Sequence, residues 1–489
     1  MESRIQNRAV LTSHGNIRGR EAVLDIMGAG LQASDPYDNT RRLIHLENNR
    51  LVISGKEFEP KNDPASGDEV IDLSQIKHIY VIGAAKGVQR LARAIEDVLG
   101  DRLTGGHVID KKGHPVILDR IGVTLGAHPV PDEDCVAGCQ KILEIARNLT
   151  ANDLVFTCVG SGVSSLLTLP VPGVSLEDVR QMTYLMQIER GAPTGDLNAI
   201  RNHLDMLKGG KISRYISPAR AIHLVADDPS SYENLMVNNS YLHTLPDRAA
   251  YTYQTAIDNL KKWQAWDVVP ESVRAFLEKA DPAYQTVKAG EYQKMSFRIF
   301  GLVPGYRKTA KLPPAIKRAR ELGFKPVILA ETTLSVEAMH AGRYIASIAR
   351  TIERIGQPLE PPCVLFSSGE MIVTVGKETG IGGRNQEFAL SAAQGIAGSR
   401  NIVIASVDTD GTDGPGTQFN RGDANIPCLA GGVVDGETVA EAKKAGVDIS
   451  EAIKRHNTTP ALWKINSGIV MTPNISLLDF TIALVLGKG

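Results

Sequence analysis

The sequence contains little cysteine and no segment long enough to cross a membrane. Only five of the 489 residues are cysteines, at positions 135, 139, 158, 363 and 428. A sparse, odd number in a chain of this length argues against a secreted disulfide framework. No run of about 18 apolar residues is present to span a bilayer, and the N-terminus lacks the charged-then-apolar pattern of a signal peptide. We therefore expect a cytoplasmic protein.

The sequence also lacks an excess of either charge. Lysine and arginine total 54 against 55 acidic residues, which removes any global electrostatic reason to expect nucleic acid or an anionic membrane as a partner. Hydrophobic residues make up 43% and charged residues 22%, the balance of a globular protein. The length predicts two domains or three.

Two common nucleotide-binding motifs are missing. No GxxxxGK[ST] segment is present, and the glycines of Gly83-Ala84-Ala85-Lys86-Gly87 do not have GxGxxG spacing. The sequence therefore predicts neither a P-loop nor a dinucleotide fingerprint with a ribose-binding acid about 20 residues further on.

Repeated β-branched runs, several of them ending in glycine or aspartate, are the main positive signal. They predict strands at 76–83, 153–159, 221–225, 325–330, 364–366 and 401–407. Helical periodicity at 19–33 and 88–99 predicts helices, so that strands and helices alternate along the chain. We expect an α/β protein of two domains, with mostly parallel sheets sandwiched by helices. Ligands of such sheets bind at the carboxyl ends of the strands. A polar helical stretch over 250–300 places the boundary near residue 285, giving domains 1–285 and 286–464.

Two glycine-rich turns follow predicted strands. Lys86 adds a point charge to the amides and dipole of a helix start, which suits phosphate or carboxylate. A surface lysine after a tight turn explains the pattern equally well. In Gly160-Ser161-Gly162-Val163-Ser164 the backbone and hydroxyls can approach an anion, although an ordinary turn with a serine N-cap is the simpler interpretation. The spacing is not that of a GxSxG nucleophile elbow.

Asn198, Arg201 and Lys208 lie in one polar segment, with Gly209 as an expected helix C-cap. Arg201 and Lys208 are seven residues apart, two turns along one helix face. Two cations so placed can clamp a carboxylate or a phosphate. A solvated basic face is the alternative.

The most unusual segment runs from Ser367 to Leu390. Glu370 lies near its start, and a glycine turn then presents Arg384, Asn385, Gln386 and Glu387 before an apolar helix. An arginine so placed suits the charge of a transferring phosphoryl group. In Asp408-Thr409-Asp410-Gly411-Thr412-Asp413, Asp410 and Asp413 are candidate ligands of Mg²⁺, which prefers few carboxylates plus phosphate oxygens. An Asp/Gly turn is the alternative.

Together these segments resemble a known family. The resemblance rests on Gly83-Ala-Ala-Lys86, Ala127-His-Pro-Val-Pro-Asp132, Asn198-Ala-Ile-Arg201, Lys208-Gly-Gly210, Gly369-Glu370, Gly382-Gly-Arg-Asn-Gln-Glu387 and Thr409-Asp-Gly-Thr-Asp-Gly-Pro415. In order and content they resemble the glycerate 2-kinase family, whose C-terminal region carries the MOFRL domain. The likeness spans nearly the whole chain.

The resemblance implies a fold, an activity and roles for individual residues. It implies two α/β domains around a cleft, the first Rossmann-like and the second MOFRL-like, with a tail of about residues 465–489 returning to the first. It implies an ATP- and Mg²⁺-dependent kinase of a small hydroxy acid, in which Lys86 and Arg384 are catalytic and Asp410 is an acidic residue of the cleft. The general base is left open among Asp227, Asp228 and Glu370, and a homodimer is a candidate assembly.

Several loops depart from the family pattern. Ala226-Asp227-Asp228-Pro229 keeps only the first part of an acidic motif, and residues 232–245 replace the rest. Residues 160–163 and 471–476 also differ, and residues 415–431 include an insertion with Arg421 and Asp423. Because several anion-handling loops change together, we expect a larger or branched sugar acid, or its keto form, in place of plain glycerate.

Two alternatives belong to other functional classes. One is an NAD(P)-dependent hydroxypyruvate reductase, a label attached to some members of the family, which the missing dinucleotide fingerprint disfavours. The other is a catalytically silent paralogue that binds a metabolite, for which the altered loops leave room.

Overall fold

The computed structural model describes residues 4–414, 426–474 and 476–487, so most of the insertion, with Arg421 and Asp423, lies outside the described residues. The chain divides into two compact units. The continuous unit is Pro36–Gly305, and the discontinuous unit combines Met1–Asp35 with Tyr306–Gly489. No helix in the described ranges is both long and apolar enough to cross a membrane.

Helices and strands alternate through most of the chain. The discontinuous unit begins with α1 (Arg8–Leu11) and α2 (Ile17–Gln32). The strands of the continuous unit are β1 (Ile44–Glu47), β2 (Arg50–Ile53), β3 (Glu69–Asp72), β4 (His78–Ala84), β5 (Gly105–Lys111), β6 (Gly122–Gly126), β7 (Asp153–Val159), β8 (Arg220–Val225) and β9 (Phe297–Gly301). Its helices are α3 (Pro36–Leu43), α4 (Val88–Leu99), α5 (Glu133–Arg147), α6 (Val163–Leu166), α7 (Leu176–Thr183), α8 (Thr194–Arg201), α9 (Lys211–Ile216), α10 (Tyr232–Val237), α11 (Tyr253–Lys262), α12 (Glu271–Lys279) and α13 (Ala289–Tyr292).

The rest of the discontinuous unit follows from Tyr306. Its helices are α14 (Leu312–Glu321), α15 (Ala338–Ile355), α16 (Arg384–Ile396), α17 (Thr438–Lys444), α18 (Ile449–Lys454) and α19 (Thr458–Lys464). Its strands are β10 (Lys325–Glu337), β11 (Cys363–Ile372), β12 (Ile402–Asp408), β13 (Gly431–Asp435), β14 (Gly468–Ile469) and β15 (Asp479–Val485).

The main sheet of the continuous unit is wholly parallel. Its order is β6-β5-β4-β7-β8-β9, and β1 to β3 form a small antiparallel sheet apart from it. Every residue of β7 is buried, as expected for a strand covered on both faces. Successive strands move outward from β4 in one direction and then from β7 in the other. The topological switch point, where such sheets bind ligands, therefore lies between β4 and β7.

The sheet of the discontinuous unit is mixed. Its order is β10-β11-β15-β12-β13-β14. Among the neighbouring strands of this sheet that the structure describes, the pair β10 and β11 is parallel and the other four pairs are antiparallel. The prediction of mostly parallel sheets therefore holds in the continuous unit alone. The last strand, β15, enters antiparallel between β11 and β12 and is buried along its whole length. Leu24 and Met27 of α2 join Phe480 and Ile482 in the core on one face of this sheet.

The structure divides the chain elsewhere than at the predicted boundary. Strand β9 pairs with β8, so the parallel sheet continues past residue 285 and its unit ends at Gly305. The tail lies in the discontinuous unit, where β15 bonds to β11 and β12 on its two edges and the segment before it bonds to Arg4, Gln6 and Leu31 near the start of the chain. Buried backbone groups need such partners, and these two strands supply them within the discontinuous unit.

Candidate active site

The turn that carries Lys86 lies at the switch point of the parallel sheet. Lys86 follows β4 by two residues and Ser161 follows the neighbouring β7 by two, and the Lys86 amide donates to the Ser161 carbonyl at 2.8 Å. The Asp110 carboxylate at the end of β5 accepts from the Gly87 amide at 2.8 Å. The turn is therefore held from both sides, which fixes the direction in which the lysine leaves the backbone.

Gly162 is the residue that allows the two turns to approach each other. Its φ is +84°, and a Cβ added there would lie 2.8 Å from Cγ of Lys86 and 3.3 Å from Cδ2 of His128. A larger residue would strain the backbone and push the lysine aside. Three loops at the carboxyl ends of β4, β6 and β7 thus meet at Lys86.

Asn198 and Arg201 are buried on α8 with almost no polar partners. Within the described residues neither Oδ1 nor Nδ2 of Asn198 has a hydrogen-bond partner, and the residue has no exposed surface. Arg201 donates to Oε1 of Gln187 at 2.9 Å. Burial lowers the pKa of Arg201 to about 10, with no acidic group opposing the shift. A buried guanidinium without a carboxylate favours an anionic ligand.

A serine–histidine pair lies beside Arg201. The Gly209 amide donates to Nδ1 of His243 at 3.4 Å, so Nε2 carries the ring proton and donates to Oγ of Ser164 at 2.9 Å. Burial, together with the charges of Lys208, Arg201 and Lys211, lowers the pKa of His243 well below its usual value. The histidine is thus a neutral donor and not a base. Ser164 can therefore donate its hydroxyl proton to a ligand. Because His243 does not accept that proton, the pair is not arranged for nucleophilic catalysis by serine.

Lys208 does not share a helix face with Arg201, contrary to the prediction. Helix α8 ends at Arg201, and Lys208 lies in the following loop. Its ammonium is 2.8 Å from both Asp205 Oδ2 and Thr168 Oγ1, and the side chain is buried. The Asp205 side chain also accepts from the Leu207 and Lys208 amides, which holds this loop out of helical geometry. Lys208 therefore stabilises the loop under the site.

The two aspartates after β8 are closely tied to their own loop. The Asp228 amide donates to Oδ1 of Asp227 at 2.8 Å, and the Ser230 amide donates to Oδ1 of Asp228 at 3.0 Å. The Tyr241 hydroxyl donates to Asp227. Tyr241 and His243 both belong to the segment 232–245 that departs from the family pattern. The sequence carried no signal for either contact, because both depend on how that segment folds back.

In the discontinuous unit, Arg384 is held between two carboxylates. It is the first residue of α16, and its Nε donates to Asp479 Oδ1 at 2.7 Å while Nη2 donates to Asp408 Oδ2 at 2.8 Å. Oε1 of Glu370 lies 3.7 Å from Nη1. Burial opposes the charge, yet Asp408, Asp479 and Asp413 outweigh burial and raise the pKa of Arg384. Asp479 has no sequence signal; it reaches Arg384 because β15 pairs with β12 in a register that sets Asp479 opposite Asp408.

Asn385, Gln386 and Glu387 are buried behind Arg384. Asn385 Nδ2 donates to Asp479 Oδ1 at 2.7 Å. Gln386 Nε2 donates to the Asp413 carbonyl at 2.9 Å, and Glu387 pairs with Nδ1 of His456 at 2.9 Å. These contacts support the arginine. They do not place the three side chains at a ligand surface, where the prediction had put them.

Asp410 and Asp413 have different environments. Asp413 is buried, and its carboxylate accepts from the Asn385 and Gln386 amides at 3.1 and 2.9 Å, so it caps α16. Burial raises the pKa of Asp413 to about 6, and Arg384 opposes the shift. Asp410 Oδ1 accepts from Thr412. Within the described ranges no group of three or more His, Cys, Asp or Glu is arranged to hold a metal ion.

Lys311 is a buried cation that sequence reasoning missed. Its ammonium donates to Ser368 Oγ at 2.7 Å and to the Leu477 carbonyl at 2.5 Å, and it has no exposed surface. Burial lowers the pKa of Lys311 to about 7, against the charges of Asp479 and Asp408. The lysine ties the segment before α14 to the loop that leads into β15, so it positions Asp479 through the backbone.

Sequence models of two families match the chain. One, described as a domain of unknown function (DUF4147), matches residues 22–278, and the MOFRL family matches residues 363–476. The glycerate 2-kinase of Pyrococcus horikoshii is 33% identical over 472 residues, 96% of this chain and 98% of that protein. The D-glycerate 2-kinase of Thermotoga maritima is 32% identical over 440 residues, 89% of this chain and 97% of that protein.

A solved structure is similar over nearly the same length. The crystal structure of glycerate kinase from Thermotoga maritima matches with a TM-score of 0.69 and 27% sequence identity, covering 95% of this chain and 99% of that one. The order of elements in both units is therefore shared with a protein whose structure has been determined.

Proposed function

Since the chain belongs to the glycerate kinase family, we propose that it transfers a phosphoryl group from magnesium-bound ATP to a hydroxyl of a small hydroxy acid. Membership makes it a phosphotransferase with an alcohol acceptor. The observation that carries the finer proposal is Arg384, a permanently charged fork held by Asp408 and Asp479 at the start of α16. Rigid donors of this kind stabilise charge on a transferring phosphoryl group without reorganising.

The charge around Arg384 supports a metal-bound donor. Asp408 and Asp479 contact the guanidinium, and Glu370 and Asp410 lie on the strand and turn that surround it. Arg384 and the buried Lys311 do not balance these four carboxylates, so a bare nucleotide polyphosphate would be repelled. Mg²⁺ bound to the phosphates removes that repulsion and needs only one or two protein carboxylates. Asp410 suits such a role, whereas Asp413 is already engaged as a helix cap.

Arg201 and its neighbours are proposed to bind the carboxylate of the acceptor. Arg201 supplies an unpaired charge, Asn198 an unpaired amide, and Ser164 a hydroxyl proton that His243 leaves free. A buried polar set with unmet hydrogen bonds discriminates strongly for a ligand that meets them. Lys86, fixed at the switch point of the same unit, is proposed to neutralise negative charge on the reacting groups.

The altered segment 232–245 supports an acceptor other than plain glycerate. It supplies Tyr241, which bonds to Asp227, and His243, which bonds to Ser164. Ser164, which is proposed to bind the acid, and Asp227, a candidate general base, are therefore both held by residues outside the family pattern. We propose a four- or five-carbon sugar acid, or its keto form, as the acceptor.

The test is ADP release from ATP and Mg²⁺ across a panel of hydroxy and keto acids of three to five carbons. Turnover of a larger acid well above that of glycerate supports the finer proposal, and a preference for glycerate removes it while leaving the kinase intact. Silence across the panel in folded protein, with no ATP binding, refutes the kinase. Hydroxypyruvate with NADH and no ATP is run beside it, because oxidation of NADH there would indicate a reductase.

A further inference from the structure

An apolar cavity of 610 Å³ opens in the discontinuous unit. Its walls come from β10, from α15 and from the inner part of β11, and include Leu329, Val336, Ala341, Tyr344 and Ile348. Two of these apolar side chains are exposed to solvent, Tyr344 over 69% of its surface and Val336 over 38%. Cavities of about 300–1,000 Å³ with mostly apolar walls and a few polar groups are typical of small-molecule sites.

One end of the cavity lies at the arginine described above. Asp479, whose Oδ1 accepts from Nε of Arg384 at 2.7 Å, is one of the lining residues. Phe388, four residues after Arg384 on α16, is another. Residues four apart lie on one helix face, so the face of α16 that begins at Arg384 continues along the cavity wall.

The hydroxyls in the cavity are concentrated at the same end. Ser367 on β11 and Thr481 on β15 line it near Asp479, whereas Tyr344 on α15 lines it with an exposed ring. The Ser368 hydroxyl is already engaged by Lys311 and the Lys308 carbonyl. The cavity thus runs from a buried polar end at Asp479 to an apolar chamber beside the exposed Tyr344 ring. A flat apolar group fits the chamber. Because the polar end presents the Asp479 carboxylate paired with Arg384, an anionic group there would have to carry a cation such as Mg²⁺.

We propose that this cavity binds the nucleoside of the phosphoryl donor, with the phosphates directed toward Arg384. The proposal rests on the proposed kinase function. A hydroxy acid of three to five carbons carries a hydroxyl on most of its carbons, so apolar walls would bind it poorly. A purine nucleoside offers a ring to stack against Tyr344 and ribose hydroxyls for Ser367 and Thr481.

The experiment measures binding of MgADP by calorimetry to wild type and three variants. Ala341→Trp fills the chamber. Tyr344→Ala removes an exposed ring and leaves the core untouched. Ser347→Trp places the same large side chain on an exposed position of α15 that does not line the cavity, and serves as the matched control. Thermal unfolding checks that each variant is folded, and adenosine is titrated as a competitor that lacks phosphates.

We expect the Kd for MgADP to rise at least about tenfold in Ala341→Trp and at least about fivefold in Tyr344→Ala, with Ser347→Trp unchanged and the KM for the acid unaffected. Adenosine should compete in wild type. An unchanged Kd in folded Tyr344→Ala, or failure of adenosine to compete while MgADP binds, overturns the proposal and leaves the kinase standing. If the variants alter self-association and not MgADP binding, the cavity is an interface between copies. If wild type does not bind MgADP at all, the proposed function itself fails.

Discussion

At the residue scale, each unit holds one candidate arginine, and the two arginines differ in their partners. Arg384 has carboxylate partners on two strands, whereas Arg201 has a single amide oxygen. Arg384 is held rigidly and is strongly cationic, whereas Arg201 is a buried charge that an anionic ligand would stabilise. That difference suits the two for different tasks, one at a metal-bound phosphate and the other at a carboxylate.

The variant that isolates the role of Arg384 is Arg384→Lys. Removing the charge with alanine would take the guanidinium away from two buried carboxylates, Asp408 and Asp479, a loss of about 3–5 kcal/mol, so folding and catalysis would be confounded. Lysine keeps the charge but lacks the planar fork. We expect kcat to fall about 100-fold or more, with the melting temperature little changed. A kcat equal to that of wild type in the ADP-release assay would contradict the assignment.

Asn198 gives a second prediction at this scale. Because its amide has no partner among the described residues, the isosteric change Asn198→Leu should stabilise the free protein by about 1–3 kcal/mol in urea unfolding. The same change should raise the KM for the acid and leave the KM for ATP unaltered. A drop in stability without any effect on KM would show that Asn198 is a structural residue.

At the element scale, the sites are built from strand ends and helix starts. The regular strands β4, β7, β8 and β12 and the helix α4 agree with the sequence prediction to within two residues at each end, because β-branched runs and 3.6-residue periodicity are local signals. Strand β10 continues seven residues past the prediction, to Glu337, and the helix expected through Lys208 stops at Arg201. Both errors arise where contacts outside the local pattern set the backbone: the partner strand β11 for β10, and the Asp205 side chain, which accepts from the following amides, for the loop of Lys208.

Asp413 separates capping from metal binding. Its carboxylate accepts from two amides of α16, so Asp413→Ala should lower the free energy of unfolding by about 1–2 kcal/mol. The apparent affinity for Mg²⁺, measured as the half-saturating concentration in the ADP-release assay, should not change. The matched variant Asp410→Asn should weaken it. A shift in Mg²⁺ dependence for Asp413→Ala at full thermal stability would identify a metal ligand instead.

At the scale of the whole molecule, the stability of the continuous unit depends on pH through its buried histidines. The continuous unit buries His107, His203, His223 and His243, and burial lowers the pKa of each, to about 4 for His107 and about 3 for His203 and His223. Below about pH 6.5 the unfolded chain binds protons that the folded unit does not. The stability of this unit should therefore fall as the pH drops from 6.5 toward 3.

His223 provides the test of that dependence. It contacts Thr157 at 2.6 Å and packs against Phe297, so His223→Phe keeps a ring there without a titrating group. The free energy of unfolding of wild type minus that of the variant should be about 2 kcal/mol lower at pH 5.0 than at pH 7.5. The reason is that pH 5.0 is about 1.5 units below the pKa of a histidine in the unfolded chain. Urea unfolding at the two pH values measures it. A difference that does not change with pH would mean that His223 has the same pKa in the folded and unfolded states.

The sequence by itself determined the α/β class, the family and the glycine turns that carry Lys86 and Arg384, because each of these depends on short segments of contiguous residues. Tertiary structure alone decided the partners of those residues. Asp479 meets Arg384 only through the register of an antiparallel strand near the C-terminus, and His243 meets Ser164 only because a divergent loop folds back. The unit boundary at Gly305 and the placement of residues 4–35 follow from strand pairing and core packing. Contacts between distant segments depend on register and burial, which local patterns do not encode.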